Sequence, residues 1–343
     1  MASPSPDDIF PPGRAPDAVA GGVPWRPGVI SNPLSGGNKG GRIRDVRRCL
    51  QGYPDIPHRE VRTVAELRAA LDEFAAREVN LVVVNSGDGT VQGALTLLFN
   101  RRPFRTPPLL ALVSGGTTNM THHDLGLPGD HVRALCRLLN WACHGEGEAR
   151  VRRRTVLRVS RPNDPEPVYG FFFGAACIFR AIQFFHASVH RMGLSGDPAH
   201  LLILARFLWG LFRRHDALVA PTPIAIHTES RALPQRDYLM LLITTLDRLI
   251  MGLRPFWADA GGPLRLTAVG ARPRGLLSAL PALVRGRATP HAVPANGYLS
   301  CAAREVRLCM SGGFAVDGEL FSVDPGLGPV RVQDGGTADF LRL

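Results

Sequence analysis

The stretch LVVVNSGDGTVQGAL, residues 81–95, places an aspartate between two glycines at the point where an apolar run ends. LVVV is typical of a buried strand, and the following TVQGALTLLF of a helix. Asp88 is costly to bury without a partner, and Gly87 and Gly89 are poor strand and helix formers. The arrangement therefore predicts a strand, a loop and a helix, with a role for the loop beyond packing.

The sequence around this stretch alternates between strand and helix patterns from about residue 27. PGVIS, NLVVV and PLLALV are predicted strands, as is the weaker PHREVRT. GRIRDVRRCLQ, VAELRAALDEFAARE and HVRALCRLLNWAC are predicted helices. Such alternation favours a parallel sheet covered by helices, so we predict an α/β N-terminal domain.

The composition changes at HGEGEARVRRR, residues 144–154, and strand patterns dominate beyond it. TVLRVS, YGFFFGAACIF, TPIAIHT, YLMLLITT and LRLTAV are among the predicted strands, and GG, NG and DG pairs supply turns. The helical stretch HLLILARFLWGLFRRH interrupts them. We therefore predict a mainly antiparallel β-sandwich as the C-terminal domain.

Three glycine-rich loops follow predicted strands of the first half: NPLSGGNKGG at 32–41, SGDGT at 86–90 and SGGTTN at 114–119. In an open α/β sheet, ligands bind outside the carboxyl ends of the strands. Glycines let backbone N–H groups approach a phosphate, and a following helix N-terminus favours negative charge. The three loops together predict a phosphate-binding edge.

An aspartate among such amides would repel a phosphate group. Asp88 makes sense there if Mg²⁺ lies between carboxylate and phosphate oxygens. The alternative is that Asp88 caps its own helix, which aspartate does well. Capping explains the aspartate but not its two flanking glycines.

In order and spacing, these three loops resemble the nucleotide-binding motifs of the diacylglycerol kinase catalytic-domain family. That family includes bacterial lipid kinases and sphingosine and ceramide kinases, and is related to NAD kinases. FAVDGELF, residues 314–321, resembles the family's C-terminal Asp-Gly-Glu motif. The resemblance covers about residues 27–325 and is most specific in the first half.

The resemblance implies ATP and Mg²⁺ as cofactors and a lipid as substrate. It implies that Asp88 belongs to the metal network, that Asp317 is the general base for the acceptor hydroxyl, and that Glu319 supports the metal or its waters. Taken alone, Asp317–Gly318 also reads as a hairpin turn. The residues of the implied nucleotide site are Asn32, Ser35, Gly36, Gly87, Gly89, Thr90, Gly116, Thr117 and Asn119.

One departure from the family pattern concerns an acidic position. The usual Gly-Thr-x-Asn-Asp is GTTNM here, so Met120 stands where an acid is expected. The change either weakens catalysis or shifts the substrate or nucleotide preference. Asp124 follows four residues later, and the sequence leaves open whether it substitutes.

Four segments are predicted along the chain. They are a flexible tail at 1–25, a nucleotide-binding α/β domain at 26–147, a β-rich lipid-substrate domain at 148–325 and a C-terminal segment at 326–343 that could return to the first domain.

The net charge of +11 favours an acidic partner. An anionic membrane surface fits, whereas no nucleic-acid motif is present, so nucleic acid is not an expected partner. The stretch LLILARFLWGLFRR at 201–214 is too short to span a bilayer. It is either a core helix or a lipid-facing helix with basic ends.

The six cysteines form no CxxC pair, so we predict reduced thiols rather than zinc ligands or a disulfide framework. The first residues lack the apolar core of a secretory signal. We therefore expect a cytoplasmic protein, peripheral at the inner membrane face, and leave a homodimer open. The predicted function is an ATP-dependent lipid kinase. The alternatives are a degenerate member that binds nucleotide or lipid without turnover, and an NAD kinase-like small-molecule kinase.

Overall fold

The structure is a computed structural model of the 343-residue chain. The residues it describes are 24–39, 41–116, 119–145, 147–162, 164–184, 186, 219–258 and 261–343. The stretch 201–214 and most of the predicted tail lie outside them. The chain forms two compact units. The first consists of the residues up to Thr155 together with Gly336–Leu343, and the second of Val156–Gly335. The sequence composition predicts domain limits at 147 and 325 instead.

The first unit contains a parallel sheet in the order β2-β1-β3-β4. The last residues of strand β15 lie beside β4, where Phe340 pairs with Leu110, also in parallel. The predicted parallel sheet is thereby confirmed. The strands are β1 (Pro27–Ser31), β2 (His58–Glu60), β3 (Leu81–Ser86), β4 (Leu109–Ser114) and β15 (Val330–Arg342).

Helices cover both faces of this sheet, because successive side chains of each buried strand point to opposite faces. Val29 and Val83 pack on one face in a core with residues of α1 and α5. On the other face Phe74 of α2 lies against β1, so close that a Cβ on Gly28 would be 2.8 Å from its ring. The helices are α1 (Arg42–Gln51), α2 (Val64–Ala76), α3 (Asp88–Arg101), α4 (Met120–Leu125) and α5 (His131–His144).

The prediction that all cysteines are reduced is wrong for one pair. Cys49 of α1 and Cys136 of α5 form a disulfide, with their Cα atoms 6.0 Å apart. The two residues are separated by 87 positions in the sequence. Only the packing of α1 beside α5 brings them together, and spacing along the chain carries no sign of it.

The second unit is built from antiparallel pairs in the order β14-β13-β7-β9-β8-β12, with β10 between β9 and β11. Its main core draws apolar residues from most of these strands, including Phe173, Ile226 and Phe314. The predicted fold class, α/β followed by a mainly antiparallel strand-rich domain, is confirmed. The strands are β5 (Arg150–Ser160), which begins in the first unit, β6 (Val168–Gly170), β7 (Phe172–Ala176), β8 (Thr222–Thr228), β9 (Ala232–Thr244), β10 (Leu264–Gly270), β11 (Tyr298–Ala303), β12 (Glu305–Met310), β13 (Gly312–Val316) and β14 (Glu319–Val323).

Two helices of this unit differ from the sequence prediction. The apolar run FFFGAACIF was predicted as strand throughout, but the chain turns at Ala176 and continues as α6 (Cys177–Phe184). A short apolar run fits a buried strand and a buried helix equally well. Helix α7 (Leu276–Arg285) lies between β10 and β11 and was not predicted. No helix among the described residues is long and apolar enough to cross a membrane.

Candidate nucleotide site and Asp317 turn

The three glycine-rich loops meet in the first unit, where β1, β3 and β4 end side by side. The Gly37 N–H donates to the Gly115 carbonyl at 2.9 Å, and the Ser35 hydroxyl donates to the same oxygen. The Gly115 N–H in turn donates to the Ser86 carbonyl at 3.1 Å. The loops therefore hold one another through backbone atoms.

Glycine is required because these loops touch backbone to backbone. A Cβ on Gly37 would lie 2.7 Å from the Gly115 carbonyl carbon, and a Cβ on Gly87 would lie 3.1 Å from the Gly116 Cα. A Cβ on Gly116 would collide with the Gly87 Cα. Any side chain at these positions would push the loops apart. This close approach explains one of the two glycines that flank Asp88.

Side chains of predicted site residues link the first two loops. The Asn32 amide donates to the Thr90 hydroxyl at 3.2 Å, and the Ser86 hydroxyl donates to the same oxygen at 2.6 Å. Both bonds fix the first turn of α3 against the ends of β1 and β3. The first four N–H groups of a helix have no intrahelical acceptor, so this turn presents donors suited to a phosphate.

Asn38, in the first glycine-rich loop, is a structural residue of the site that was not predicted from the sequence. It is 1% exposed, and its amide donates to the carbonyls of Asn32 at 2.8 Å and Asn85 at 3.1 Å. It thereby joins the loop after β1 to the end of β3. The signal in the sequence was an asparagine within a glycine-rich loop that follows a strand.

Asn119 closes the third loop on itself. Its side-chain oxygen accepts from the Gly116 N–H and its amide donates to the Gly116 carbonyl, both at 2.8 Å. Asn119 has a φ of 49°, a left-handed conformation that asparagine tolerates better than most residues. Thr117, between them, lies outside the described residues.

Asp88 connects the second loop to the third. It is the first residue of α3, but its two carboxylate oxygens accept the N–H groups of Met120 and Thr121, each at 2.9 Å. The carboxylate therefore caps the N-terminus of α4 rather than its own helix. Burial raises the pKa of Asp88, against the two N–H donors, which act to lower it.

The residues around Asp88 fit only a Mg²⁺ ion that is bound through a single protein carboxylate. Within the described parts of the chain, no group of three His, Cys, Asp or Glu side chains could hold a metal ion. Mg²⁺ in phosphoryl-transfer sites is commonly bound through one or two carboxylates, substrate phosphates and waters. A single carboxylate beside glycine-rich loops would match that donor set, with the phosphates of a bound nucleotide completing it.

The acid missing at Met120 is not replaced by Asp124. The Met120 side chain is buried. Asp124 is also buried, and its carboxylate pairs with Arg152 at 3.4 Å and Arg154 at 3.0 Å. Because both carboxylate oxygens face arginines of β5, Asp124 serves to anchor α4 to that strand.

His122 of α4 should make the stability of this region depend on pH. Burial, with a smaller contribution from the neighbouring His123 charge, lowers the pKa of the His122 imidazole from 6.5 to about 4. Between these two pH values the unfolded chain binds more protons than the folded chain, so stability falls as pH falls. At about 1.4 kcal/mol per pKa unit, we expect a loss of roughly 2–3 kcal/mol from pH 6.5 to 4.

The measurement is the free energy of unfolding across this pH range. His122→Asn should flatten the profile, whereas His123→Asn at the exposed neighbour should remove only the smaller charge contribution and leave most of the slope. An equally steep profile in His122→Asn would contradict the assignment.

The predicted catalytic residues Asp317 and Glu319 lie in the second unit, on the β13–β14 hairpin. Asp317 and Gly318 form its two-residue turn, with φ values of 46° and 92°, as the Asp-Gly signal predicted. Glu319 begins β14 and is exposed. The turn is therefore present whether or not these residues act in catalysis.

The Asp317 carboxylate is not a solvent-exposed turn side chain. It is 2% exposed, and its two oxygens accept the N–H groups of Phe171 at 2.9 Å and Phe172 at 2.8 Å. The Asp317 N–H donates to the Phe172 carbonyl at 2.9 Å. The close packing extends to Gly170, where a Cβ would meet the carboxylate. Asp317 thus holds the junction between β6 and β7.

Fold and site together define a class: a chain whose parallel sheet ends in three interlocked glycine-rich loops, followed by an antiparallel domain. Residues 26–144 match the family model described as the diacylglycerol kinase catalytic domain. The resemblance predicted from the three loops is thereby confirmed over those residues. A search of curated proteins finds no match.

Solved structures agree on the fold. A diacylglycerol kinase from Bacillus anthracis strain Sterne aligns with a TM-score of 0.58 and 17% identity, over 92% of this chain and 96% of the other. A proposed diacylglycerol kinase from the same organism aligns over the same shares at 17% identity with a TM-score of 0.61. An ATP complex of an NAD kinase from Archaeoglobus fulgidus reaches only 0.44 at 8% identity, over 92% of each chain.

Proposed function

We propose that this protein is a lipid kinase that transfers the γ-phosphate of ATP, with Mg²⁺, to a lipid hydroxyl. The acceptor class is diacylglycerol-like, sphingoid or ceramide-like. The observation that carries the proposal is the convergence of three glycine-rich loops around Asp88. Simple turn formation would not require the loops to touch backbone to backbone, nor the Asp88 carboxylate of the second loop to bind the N–H groups that follow the third.

On the nucleotide side, the chain supplies donors and alignment. The first turn of α3 and the loops after β1 and β4 offer backbone N–H groups to phosphate oxygens. Asn32 and Thr90 hold two of these loops at a fixed separation. Bound Mg²⁺ would neutralise phosphate charge, and Asp88 is the carboxylate that would hold it. Phosphoryl transfer depends mainly on such positioning and charge neutralisation.

On the acceptor side, the proposal assigns proton transfer to Asp317. An alcohol is a weak acid, so a carboxylate that accepts its proton as the new bond forms assists the reaction. The Phe171 and Phe172 N–H groups fix the direction of this carboxylate. Glu319, exposed on the same hairpin, would support the metal or its waters.

A lipid acceptor places the reaction at a membrane. The net charge of +11 supports attraction to an anionic surface. We therefore propose that the protein works in the cytoplasm, peripherally at the inner membrane face.

The direct test is incubation of the protein with labelled ATP, Mg²⁺ and a total lipid extract. We expect label in a lipid product, whose chemistry identifies the acceptor class. Omitting Mg²⁺ should abolish the product.

Two results would contradict the proposal. Label transferred to NAD but not to lipid would identify a dinucleotide kinase. ATP binding without transfer to any acceptor would identify a binding protein without turnover, in line with the methionine at position 120.

A further inference from the structure

Helix α7 of the second unit carries an exposed apolar face, which none of the described residues covers. Leu277 is 84% exposed, Leu280 44% and Val284 37%. Their spacing of three and four residues places them on one side of the helix. Single exposed leucines are ordinary, but three on one stripe mark a surface that binds something.

The opposite side of α7 is firmly packed, so the exposure does not reflect a loose helix. Ala279 and Ala282 have no exposed area and join a core with Val269 and Tyr298. Glycines in the left-handed conformation bound the helix at both ends, at positions 275 and 286. The protein therefore presents the apolar stripe on a fixed support.

Arginines lie at both ends of the stripe. Arg272 and Arg274 precede the helix, and Arg285 and Arg287 follow the last exposed aliphatic residue; all four are exposed. Arg254, also exposed, is held near the same C-terminal end, because its N–H donates to the Val284 carbonyl at 3.0 Å.

These charges are not neutralised locally. The sequence from Gly261 to Arg304 contains no aspartate or glutamate. Among the described residues, none of the five arginines has a carboxylate within ion-pair distance. An apolar stripe between unpaired arginines complements a surface that is apolar inside and anionic at its edge.

We infer that α7 docks the protein on an anionic lipid bilayer, with Leu277, Leu280 and Val284 inserted among the acyl chains and the arginines at the headgroups. Amphipathic helices with basic flanks bind membranes in this way. A second copy of the chain fits less well, because both ends of α7 are positive. Any pairing of two such helices would bring like charges together.

The inference gives the proposed lipid kinase a specific membrane contact. It rests on the proposed function for the reason to bind a membrane, but vesicle binding can be measured without kinase activity. Its test is co-sedimentation with vesicles without ATP. Vesicles of phosphatidylglycerol mixed with phosphatidylcholine should bind the protein, and phosphatidylcholine alone should bind it weakly. Rising salt should release it, because screening lengths fall to about 8–10 Å at ordinary ionic strength.

Two variants separate the apolar and charged contributions. Leu277→Gln with Leu280→Gln should weaken vesicle binding about tenfold or more, since two aliphatic side chains no longer leave water. Arg285→Gln with Arg287→Gln should weaken it about fivefold per arginine. The matched controls are Val64→Gln with Leu327→Gln, which replace exposed aliphatic residues elsewhere, and Arg102→Gln with Arg105→Gln. Both controls should bind as wild type.

Wild-type binding by both α7 variants, or equal binding to vesicles with and without phosphatidylglycerol, would overturn the inference. So would a change of oligomeric mass in the α7 variants without a change in vesicle binding, because the face would then join two copies. Asp317→Asn should bind vesicles normally. The vesicle-binding result therefore stands or falls separately from the kinase assay.

Discussion

Asp317→Asn is expected to lower kcat for lipid phosphorylation by about 10²–10⁴-fold and to leave ATP affinity unchanged. General-base catalysis contributes a factor of this size. A base acts on the acceptor hydroxyl, so its loss should not alter nucleotide binding. The measurement is kcat with the acceptor found in the lipid extract, alongside ATP binding by calorimetry.

The structure adds a second expected effect of this substitution. Asn offers one acceptor oxygen where Asp317 offers two, so the N–H of Phe171 or Phe172 would lose its partner. An unsatisfied buried N–H costs about 1–3 kcal/mol. A fall in activity therefore has to be separated from a fall in stability.

Thr244→Val provides the matched control. The Thr244 hydroxyl donates to the Phe171 carbonyl at 2.8 Å and is buried, so its removal loosens the same β6–β7 junction. This variant keeps the Asp317 carboxylate and should retain most of its kcat. If Thr244→Val lost as much kcat as Asp317→Asn at a similar loss of stability, the role of Asp317 would be structural.

Asp88→Asn is expected to reduce phosphoryl transfer by at least about 10³-fold, because charge neutralisation of the phosphates supplies much of the catalysis in this chemistry. It should also lower stability by about 1–3 kcal/mol, since Met120 or Thr121 would lose its acceptor at the start of α4. Activity and thermal stability should thus fall together.

Dependence on Mg²⁺ separates the two roles of Asp88. In the wild type, Mg²⁺ should strengthen ATP binding. In Asp88→Asn that strengthening should be lost, whereas a carboxylate that only caps α4 would leave it in place. Asp130→Ala is the matched cap variant, because Asp130 caps α5 by accepting the Arg133 N–H and alanine offers no acceptor. It should lose stability without losing transfer.

The sequence predicted the local features of the site well. Strand patterns ending in glycine-rich loops placed Asn32, Asp88 and Asn119 at one edge of a parallel sheet, and the structure brings these loops together. The Asp-Gly pair predicted the hairpin at Asp317. Such features depend on periodicity and turn chemistry over a few residues, which the sequence states directly.

The sequence did not predict what the two aspartates bind. From the sequence, Asp88 is predicted to hold Mg²⁺, with capping of its own helix as the alternative, and Asp317 is predicted as a general base or a turn residue. In the structure each accepts two consecutive backbone N–H groups from a distant segment, 32 and 33 residues away for Asp88 and 146 and 145 for Asp317. The disulfide between α1 and α5 is a third contact of this kind.

The local pattern of the sequence therefore determined which elements form and which loops carry glycine. Tertiary structure alone decided the partners of buried polar groups and the face that α7 leaves exposed. The physical reason is that a buried carboxylate must find hydrogen-bond partners wherever the packed chain supplies them, and a disulfide forms only where packing brings two thiols together. That partner is set by how helices and strands pack, which no pattern over a few residues contains.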